Sequence, residues 1–136
     1  MDFLKSIAIA ASGLRAQAGR MRIISENIAN ADSTAPSAGA EPYRRKMTTF
    51  KTEVDRALDA QLVALGGIKT DPSEFRVKHQ PGHPAADANG NVKYPNVNSL
   101  VEMTDLREAQ RSYEANINVI GASRRMIQRT IEILKS

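Results

Sequence analysis

The chain has 136 residues, of which 19 are Lys or Arg, 15 are Asp or Glu, two are His and none is Cys or Trp. Without Cys, a disulfide framework, a thiolate nucleophile and a Cys-based zinc site are excluded. Aromatic residues make up 4% of the sequence whereas Ala contributes 19 residues, so the composition favours helices that pack closely through small side chains.

The first predicted element is a helix that begins near Leu4 and ends near Asn30, where Asp, Ser, Thr, Pro and Gly become frequent. Its apolar residues recur at alternating spacings of three and four, which defines a heptad seam on one face. This N-terminal seam consists of Leu4, Ile7, Ala11, Leu14, Ala18, Met21, Ser25 and Ile28. A further apolar row lies roughly opposite the seam and consists of Ile9, Ala16 and Ile23.

Residues 1–13 contain a short apolar run that ends in small residues, as a secretory signal does. Asp2 offsets Lys5, however, and the helical pattern continues past any plausible cleavage point. The sequence also has no apolar run of about 18 residues, the length that spans a bilayer. We therefore expect no direct membrane insertion and, if the protein is exported, a route without a cleaved Sec signal.

The middle region, residues 32–97, begins with a linker rich in Ser, Ala, Pro and Gly at Ser33–Pro42. The next residues, YRRKMTTFKTEV, are rich in β-branched and aromatic side chains and predict an extended segment. Residues 56–65 fit either a short helix or a strand. The pair Gly66-Gly67 then predicts a turn.

The best strand signal in this region is FRVKH, where Phe75, Val77 and His79 alternate with charged residues. Asn89-Gly90 is a strong tight-turn pair. The middle region is therefore expected to be a small β-containing insertion with a hairpin.

The last predicted element is a helix over residues 98–136, because no Pro follows Pro95 and the heptad pattern continues to the end. At about 1.5 Å per residue, its apolar pattern from Met103 to Leu134 would by itself be near 50 Å long. The C-terminal seam consists of Met103, Leu106, Gln110, Tyr113, Ile117, Ile120, Arg124, Ile127, Ile131 and Leu134. A second apolar row lies about 100° from the nearest seam row and consists of Val119, Met126 and Ile133.

These patterns predict a mainly α fold in which residues 1–31 and 98–136 pair as one coiled-coil stem and residues 32–97 form the insertion. A hairpin of two helices would leave the second apolar rows in water. Contiguous apolar surface of that kind marks contacts with further partners, so we expect the helices to sit inside a larger helical assembly.

Residues with catalytic or metal-binding chemistry are sparse. His79 and His83 are four apart, but Pro81 and Gly82 between them prevent the helical turn that would aim both rings at one metal. The segment that starts at Asp87 has its glycine in the wrong place for a calcium loop. No phosphate loop or nucleophile motif is present. We therefore expect no enzyme activity, no metal, no cofactor and no small-molecule substrate.

The net charge of +4 is spread thinly over the sequence. Its one local concentration is a basic cluster of Arg124, Arg125, Arg129 and Lys135, interrupted by Glu132. A DNA-binding surface usually has a denser patch or a recognisable motif, so the charge does not favour a nucleic acid partner. The role of the cluster is left open.

Several segments resemble a known family. Ala11–Leu14 and Ser25–Ala31 are similar to the N-terminal signature of bacterial flagellar rod and hook proteins. Tyr43–Lys46, Pro81–Pro84 and Tyr113–Asn116 resemble the proximal-rod proteins of that family in particular. The motif residues that carry the resemblance are Ser12, Gly13, Asn27, Asn30, Tyr43, Gly82, His83, Pro84, Pro95, Asn96 and Asn116.

The resemblance implies a structural subunit of the flagellar basal body that is exported by the flagellar type III apparatus and assembled in the periplasm. It also implies that the terminal helices form a helical tube with copies of the chain and other rod proteins, close to the membrane ring and the export apparatus. Two other classes stay open on the residues alone, a helical adaptor or chaperone and a weakly basic nucleic-acid-binding protein.

Overall fold

The computed structural model describes residues 2–136, which form two long helices and four strands. In chain order these are α1 (Phe3–Ala29), β1 (Lys46–Asp55), β2 (Ala60–Thr70), β3 (Arg76–His79), β4 (Asn91–Tyr94) and α2 (Ser99–Lys135). The predicted terminal helices and β-containing middle region are confirmed. Pairing of the helices as a coiled coil stays a prediction.

The chain divides into two compact units. Unit 1 contains α1 as far as Met21, residues Thr49–Gly67 and residues Arg107–Ser136. Unit 2 contains Arg22–Thr48 and Ile68–Leu106. Each unit therefore combines parts of both terminal helices with part of the middle region.

Small residues bring the elements of unit 1 into close contact. A Cβ placed on Gly13 of α1 would lie 2.7 Å from the side-chain nitrogen of Asn116 on α2. The Ser12 hydroxyl donates to the Ile9 carbonyl at 2.6 Å and accepts the backbone N–H of Val63 on β2 at 3.2 Å. Because these side chains are so short, α1 lies directly against both α2 and the β1–β2 ribbon.

The interior face of α1 differs from the predicted seam. Ala16 and Ile23, which were predicted to lie opposite the seam, are each only 3% exposed, whereas the seam residue Leu4 is 66% exposed. Ile9, the third member of the opposite row, is 41% exposed. In unit 1, α1 approaches its neighbours at small residues, Gly13 beside Asn116 and Gly19 beside Leu65, so the heptad pattern of large apolar residues does not by itself mark the buried face.

On α2, some of the buried residues lie one position before the residues that the seam predicted to be buried. Glu102, Ala109 and Ser123 are buried at a spacing that places them on one face of the helix, and Ala109 is 0% exposed. The predicted seam residues Met103, Gln110, Ile117 and Arg124 are exposed instead. Four further seam residues, Leu106, Tyr113, Ile120 and Ile127, are half-buried, whereas the last two, Ile131 and Leu134, are exposed. Burial within the single chain thus follows small and polar residues on this face, and packing of the exposed seam residues against other helices stays a prediction.

The strands β1 and β2 form a two-stranded sheet that contains most of residues 46–70. The connecting turn is held by Asp55, whose carboxylate accepts the N–H groups of Ala57 at 2.9 Å and Leu58 at 3.2 Å. Residues 56–65 were predicted to form either a short helix or a strand, and the strand is correct from Ala60 onward.

The turn predicted at Gly66-Gly67 is wrong, because both glycines lie within β2. A Cβ on Gly66 would lie 2.5 Å from the hydroxyl of Thr49 on β1. The first glycine thus permits close approach of the neighbouring strand and does not reverse the chain.

In unit 2, β3 and β4 pair antiparallel, with Arg76 opposite Tyr94 and His79 opposite Asn91. The predicted strand and the predicted turn at Asn89-Gly90 are confirmed, and Gly90 adopts a positive φ of 80°. A small apolar core is formed by Val92 and Tyr94 of β4 together with Ala35 and Ala85.

Candidate functional site

The most extensive set of side-chain contacts in unit 2 is a polar cluster around Asn27, which is 1% exposed. The Asn27 amide donates to the Lys46 carbonyl at 2.8 Å and to Glu102 at 3.2 Å. Its carbonyl oxygen accepts the Lys46 N–H at 3.0 Å and the Tyr43 hydroxyl at 2.7 Å. Burial, followed by the negative charges of Glu26 and Glu102, raises the pKa of Tyr43 above its usual value. The Asn27 side chain thus holds the beginning of β1 as a neighbouring strand would.

The second centre of the polar cluster is Arg45, which faces three carboxylates. Its Nε donates to Glu102, a carboxylate that is 1% exposed. Its two Nη atoms lie 3.4 Å from Asp71 and 3.8 Å from Asp105. Burial lowers the pKa of Arg45, but hydrogen bonds and charge from Glu102 and Asp71 outweigh it and raise the pKa above its ordinary value. The Arg45 guanidinium therefore compensates the burial of Glu102.

Asp71 and Asn96 complete the polar cluster through the backbone. The Asp71 carboxylate accepts the backbone N–H of Ser73 at 2.8 Å, and hydrogen bonds from Ser73 are the main reason that the pKa of Asp71 is lowered. Asn96 accepts the Arg45 N–H at 2.8 Å and donates to the Asp71 carbonyl at 3.1 Å. The polar cluster therefore ties together the end of α1, the start of β1, the residues that follow β2 and the start of α2.

Three of the motif residues named from the sequence, Asn27, Tyr43 and Asn96, meet in the polar cluster. Arg45 lies within the segment Tyr43–Lys46 that carries the resemblance but was not singled out, and Glu102 was not identified from the sequence. A signal was present, since Glu102, Ala109, Asn116 and Ser123 recur every seven residues as a row of small and polar side chains. Such a row marks a helix face that packs closely or carries a buried polar contact.

The other motif residues are spread over both units. Ser12, Gly13 and Asn116 form the close contact in unit 1 described above. The Asn30 side chain donates to the Glu26 carbonyl at 2.8 Å and holds the last turn of α1. These four residues all position helices.

The loop between β3 and β4 contains Gly82, His83 and Pro84, and the last motif residue, Pro95, directly follows β4. Gly82 and Pro84 are exposed, and the His83 ring accepts the Ala85 N–H at 3.0 Å. Pro95 is buried next to Asn96. His79 lies 3.3 Å from the Asn91 side chain. Within residues 2–136 no group of three or more His, Cys, Asp or Glu side chains is arranged to hold a metal, and no helix is apolar and long enough to cross a membrane.

Several of the predicted packing residues are exposed in the single chain. They are apolar, they lie on both terminal helices, and their exposed fractions run from 41% for Ile9 to 79% for Leu134. The set consists of Leu4, Ile9, Met103, Ile117, Val119, Met126, Ile131 and Leu134. Apolar surface distributed over two long helices is typical of contacts with other protein chains.

Comparison with known proteins gives a consistent result. The family model of flagella basal body rod proteins matches residues 7–35, and the model of the C-terminal region of flagellar basal body rod FlgEFG proteins matches residues 88–133. The chain is 51% identical to the flagellar basal-body rod protein FlgC of Agrobacterium fabrum, a match that covers 100% of this chain and 99% of that protein. It is 37% identical to FlgC of Bacillus subtilis over 99% of this chain and all of that protein. It is 35% identical to FlgC of Salmonella typhimurium over 98% of both chains.

Proposed function

Because this chain belongs to the FlgC family of flagellar basal-body rod proteins, we propose that it builds the proximal part of the rod, in the periplasm. As a member of this family it is a structural subunit and not an enzyme. The identification from the motif residues is thus confirmed. The alternatives of an adaptor, a chaperone or a nucleic-acid-binding protein are not supported.

The observation that carries the proposal is the exposed apolar surface on both terminal helices. Val119 is 46% exposed and Met126 is 47% exposed, and the two residues lie on one face of α2. Burying such surface between subunits contributes roughly 25 cal/mol for each Å² removed from water. We propose that α1 and α2 form the contacts with copies of the chain and with other rod proteins, in a head-to-tail arrangement that can extend.

The polar cluster supports this function in a second way. A rod subunit transmits torque, so its elements need to keep a fixed arrangement under load. Asn27 and Arg45 hold residues from several elements through paired polar groups, and the Asn27 and Glu102 residues at the centre of the cluster are each 1% exposed. Local opening of this region therefore leaves buried charge and amide groups unpaired, which makes opening costly.

We also propose that the protein passes through the flagellar export apparatus with its N-terminal segment intact. This is supported by the family model, whose match begins at residue 7 and therefore includes the apolar run that resembles a signal. The export apparatus and the membrane ring would then be neighbours of the assembling subunit.

The proposed assembly surface is tested with Val119→Glu combined with Met126→Glu in a flagellated strain that lacks its own copy of the gene. Both side chains are exposed in the single chain, so we expect a folded, soluble protein that fails to enter the rod, and non-motile cells without hooks. Circular dichroism of the purified variant and electron microscopy of basal bodies measure the two outcomes.

The matched control is Arg111→Gln combined with Asn118→Glu, which makes the same change in net charge at two exposed positions of α2 that are also seven residues apart but lie on a polar row. We expect this control variant to assemble. Normal motility of the Val119 and Met126 variant would show that this face of α2 is not an assembly surface.

A further inference from the structure

The turn before β4 contains a pair of residues that is chemically reactive in peptides. In an Asn-Gly pair, the backbone nitrogen of Gly can attack the side-chain amide of Asn, because Gly has no side chain that shields its nitrogen. Asn89 is exposed and is followed by Gly90, and no other Asn of the sequence precedes a Gly. Asn89 is therefore the position at which deamidation is chemically easiest.

Deamidation exchanges one bond of the Asn89 side chain for another. The Gly90 nitrogen bonds to Cγ of Asn89 and loses its proton, and the bond from Cγ to Nδ2 breaks, so ammonia leaves with that proton. Water then opens the cyclic imide at either of its carbonyl carbons. The products are Asp and isoaspartate, in which the main chain runs through the side-chain carbon. The net reaction consumes water and releases ammonia.

The fold restrains the attacking residue on both sides. The Gly90 N–H donates to the Asp87 carbonyl at 3.0 Å, and the Gly90 carbonyl accepts the Gln80 N–H at 2.8 Å. Gly90 is buried and has a positive φ of 80°. A Cβ placed on it would lie 3.0 Å from Cε1 of His79 and 3.1 Å from Cγ of Pro81, so its backbone has little space in which to turn.

The Asp87 carboxylate fixes the residues before and after Gly90. Its Oδ1 accepts the Asn89 N–H at 2.8 Å and the Asn91 N–H at 2.9 Å. A short acidic side chain that binds the backbone N–H two residues further on commonly holds a turn. Attack on Asn89 requires the Gly90 nitrogen to lose its proton and to turn towards Cγ, which breaks its bond to the Asp87 carbonyl. Cyclisation in the folded chain therefore requires the turn to open first.

We propose that Asn89 is a site of spontaneous deamidation whose rate is controlled by the fold. It reacts while the chain is unfolded, and it is protected once β3 and β4 have paired. In the folded chain the reaction proceeds only through the fraction of molecules in which the turn is open. The inference rests on this turn alone and does not depend on the proposed function.

The isoaspartate product does not fit the native turn. It adds one carbon atom to the main chain between Asn89 and Gly90, next to the N–H groups that the Asp87 carboxylate holds. The strand β4 follows directly and contributes Val92 and Tyr94 to the small apolar core of unit 2. A longer turn shifts these residues against β3. We therefore expect a chain that forms isoaspartate before folding to fold poorly in unit 2.

The first test compares the folded with the denatured chain. Purified full-length protein is incubated in buffer and in guanidinium chloride at the same pH and temperature, and circular dichroism follows the fold. Trypsin releases residues 79–93 as one peptide, because no Lys or Arg lies between Lys78 and Lys93. Mass spectrometry of this peptide measures loss of the amide, with a zero-time sample as the reference. We expect Asn89 to react at least about tenfold more slowly in the folded chain.

Asn91 is an internal control in the same peptide. It is followed by Val92, whose branched side chain shields the attacking nitrogen, so the change should be located at Asn89. Equal rates in the folded and the denatured chain would overturn the proposal. A faster reaction in the folded chain would also overturn it, and would indicate that the His79 ring beside Gly90 promotes the attack.

The second test loosens the turn. Asp87→Ala removes the carboxylate that holds it, and the control Glu114→Ala removes a carboxylate from the exposed side of α2. In buffer we expect Asp87→Ala to speed the reaction of Asn89 at least about fivefold and Glu114→Ala to change it less than about twofold. In denaturant the three chains should react at similar rates. An unchanged rate for Asp87→Ala in buffer would overturn the role of the turn.

The third test asks whether the product folds. Chain that has been held in denaturant until much of Asn89 has reacted is returned to buffer, and limited proteolysis separates folded from unfolded molecules. We expect isoaspartate to be enriched in the digested fraction. The variant Asn89→Gln, whose longer side chain cyclises far more slowly, should refold equally well before and after the same incubation. Isoaspartate divided equally between the two fractions would overturn the expected folding defect.

Discussion

At the scale of single residues, Arg45 has the largest consequence for stability because it faces a carboxylate that is almost fully buried. Removing one partner of a buried ion pair leaves an uncompensated charge, which typically costs about 3–5 kcal/mol. Since Arg45 is partly accessible to water, we expect Arg45→Ala to lower the free energy of unfolding by about 3 kcal/mol. Urea denaturation followed by circular dichroism measures this change.

The control for Arg45 is Lys51→Ala, because Lys51 pairs with Glu53 at 3.2 Å and both side chains are 57% exposed. An exposed pair contributes about 0–1 kcal/mol. A second control, Arg45→Met with Glu102→Met, removes both charges and should cost less than Arg45→Ala alone. Equal costs for Arg45→Ala and Lys51→Ala would contradict the importance of the polar cluster.

Asp71 gives a prediction for acid pH. Its pKa is lowered in the folded protein by hydrogen bonds from Ser73 and by Arg45. Such a group stabilises the fold above its unfolded pKa of about 4, and this contribution is lost as the pH falls through the lower folded pKa. We therefore expect the urea midpoint to decrease below about pH 4 and Asp71→Asn to flatten that decrease.

The control for Asp71 is Asp59→Asn, which removes the same charge from an exposed turn between β1 and β2. This control should keep the pH dependence of the natural protein. An unchanged slope in Asp71→Asn would show that the Asp71 carboxylate does not stabilise the fold.

At the scale of the elements, the close contact between α1 and α2 depends on Gly13. A new Cβ would lie 2.7 Å from the Asn116 side chain, so either that side chain or the helix must move. Overpacking typically costs about 1–3 kcal/mol, which exceeds the roughly 1 kcal/mol that Ala gains over Gly in a helix. We expect Gly13→Ala to lower the melting temperature, and Asn116→Ala to relieve much of the loss in the double variant.

Gly121 is the matched control for Gly13, because it also lies inside a helix of unit 1. Its new Cβ would lie 3.4 Å from the end of the flexible Arg125 side chain, an ordinary contact. Gly121→Ala should therefore stabilise the protein by up to about 1 kcal/mol. Calorimetry that finds the same sign for both substitutions would contradict the close contact at Gly13.

The same elements show how far sequence reasoning reaches. The ends of both helices and the strand at Arg76–His79 follow from local signals such as turn residues, Pro positions and alternation. The interior faces of the helices do not, because burial of Ala16, Ala109 and Ser123 depends on which elements meet. Heptad counting favours large apolar residues, and several of these are exposed in the single chain.

The candidate site shows the same division. Asn27, Tyr43 and Asn96 were identified through their motifs, yet the geometry that joins them was not predictable. Arg45 is 57 positions from Glu102 in the sequence. Taken alone, each is a charged residue of the kind normally found at the protein surface. A buried ion pair of this kind becomes visible only when the fold brings both partners together.

At the scale of the whole molecule, a subunit built for assembly should be unevenly stable when it is alone. Ala109 and Ser123 are buried, whereas every residue from 128 to 135 is helical and exposed. The backbone hydrogen bonds of a segment with so little packing open locally at small cost, while those near Ala109 open only with larger unfolding. We expect amide exchange in residues 128–135 to be at least about a hundredfold faster than near Ala109 in dilute monomer.

Assembly should reverse this difference. If a neighbouring subunit covers Ile131 and Leu134, the last turns of α2 can open only when that contact is lost. Exchange measured by mass spectrometry on purified basal bodies should then be slow in residues 128–135, with the dilute monomer as the reference. Monomer that is protected equally from Ala109 to Lys135 would mean that the end of α2 is stable without neighbours. In that case the exposed apolar residues at this end would no longer indicate an assembly surface, and the prediction for the rod would have to rest on Val119 and Met126 alone.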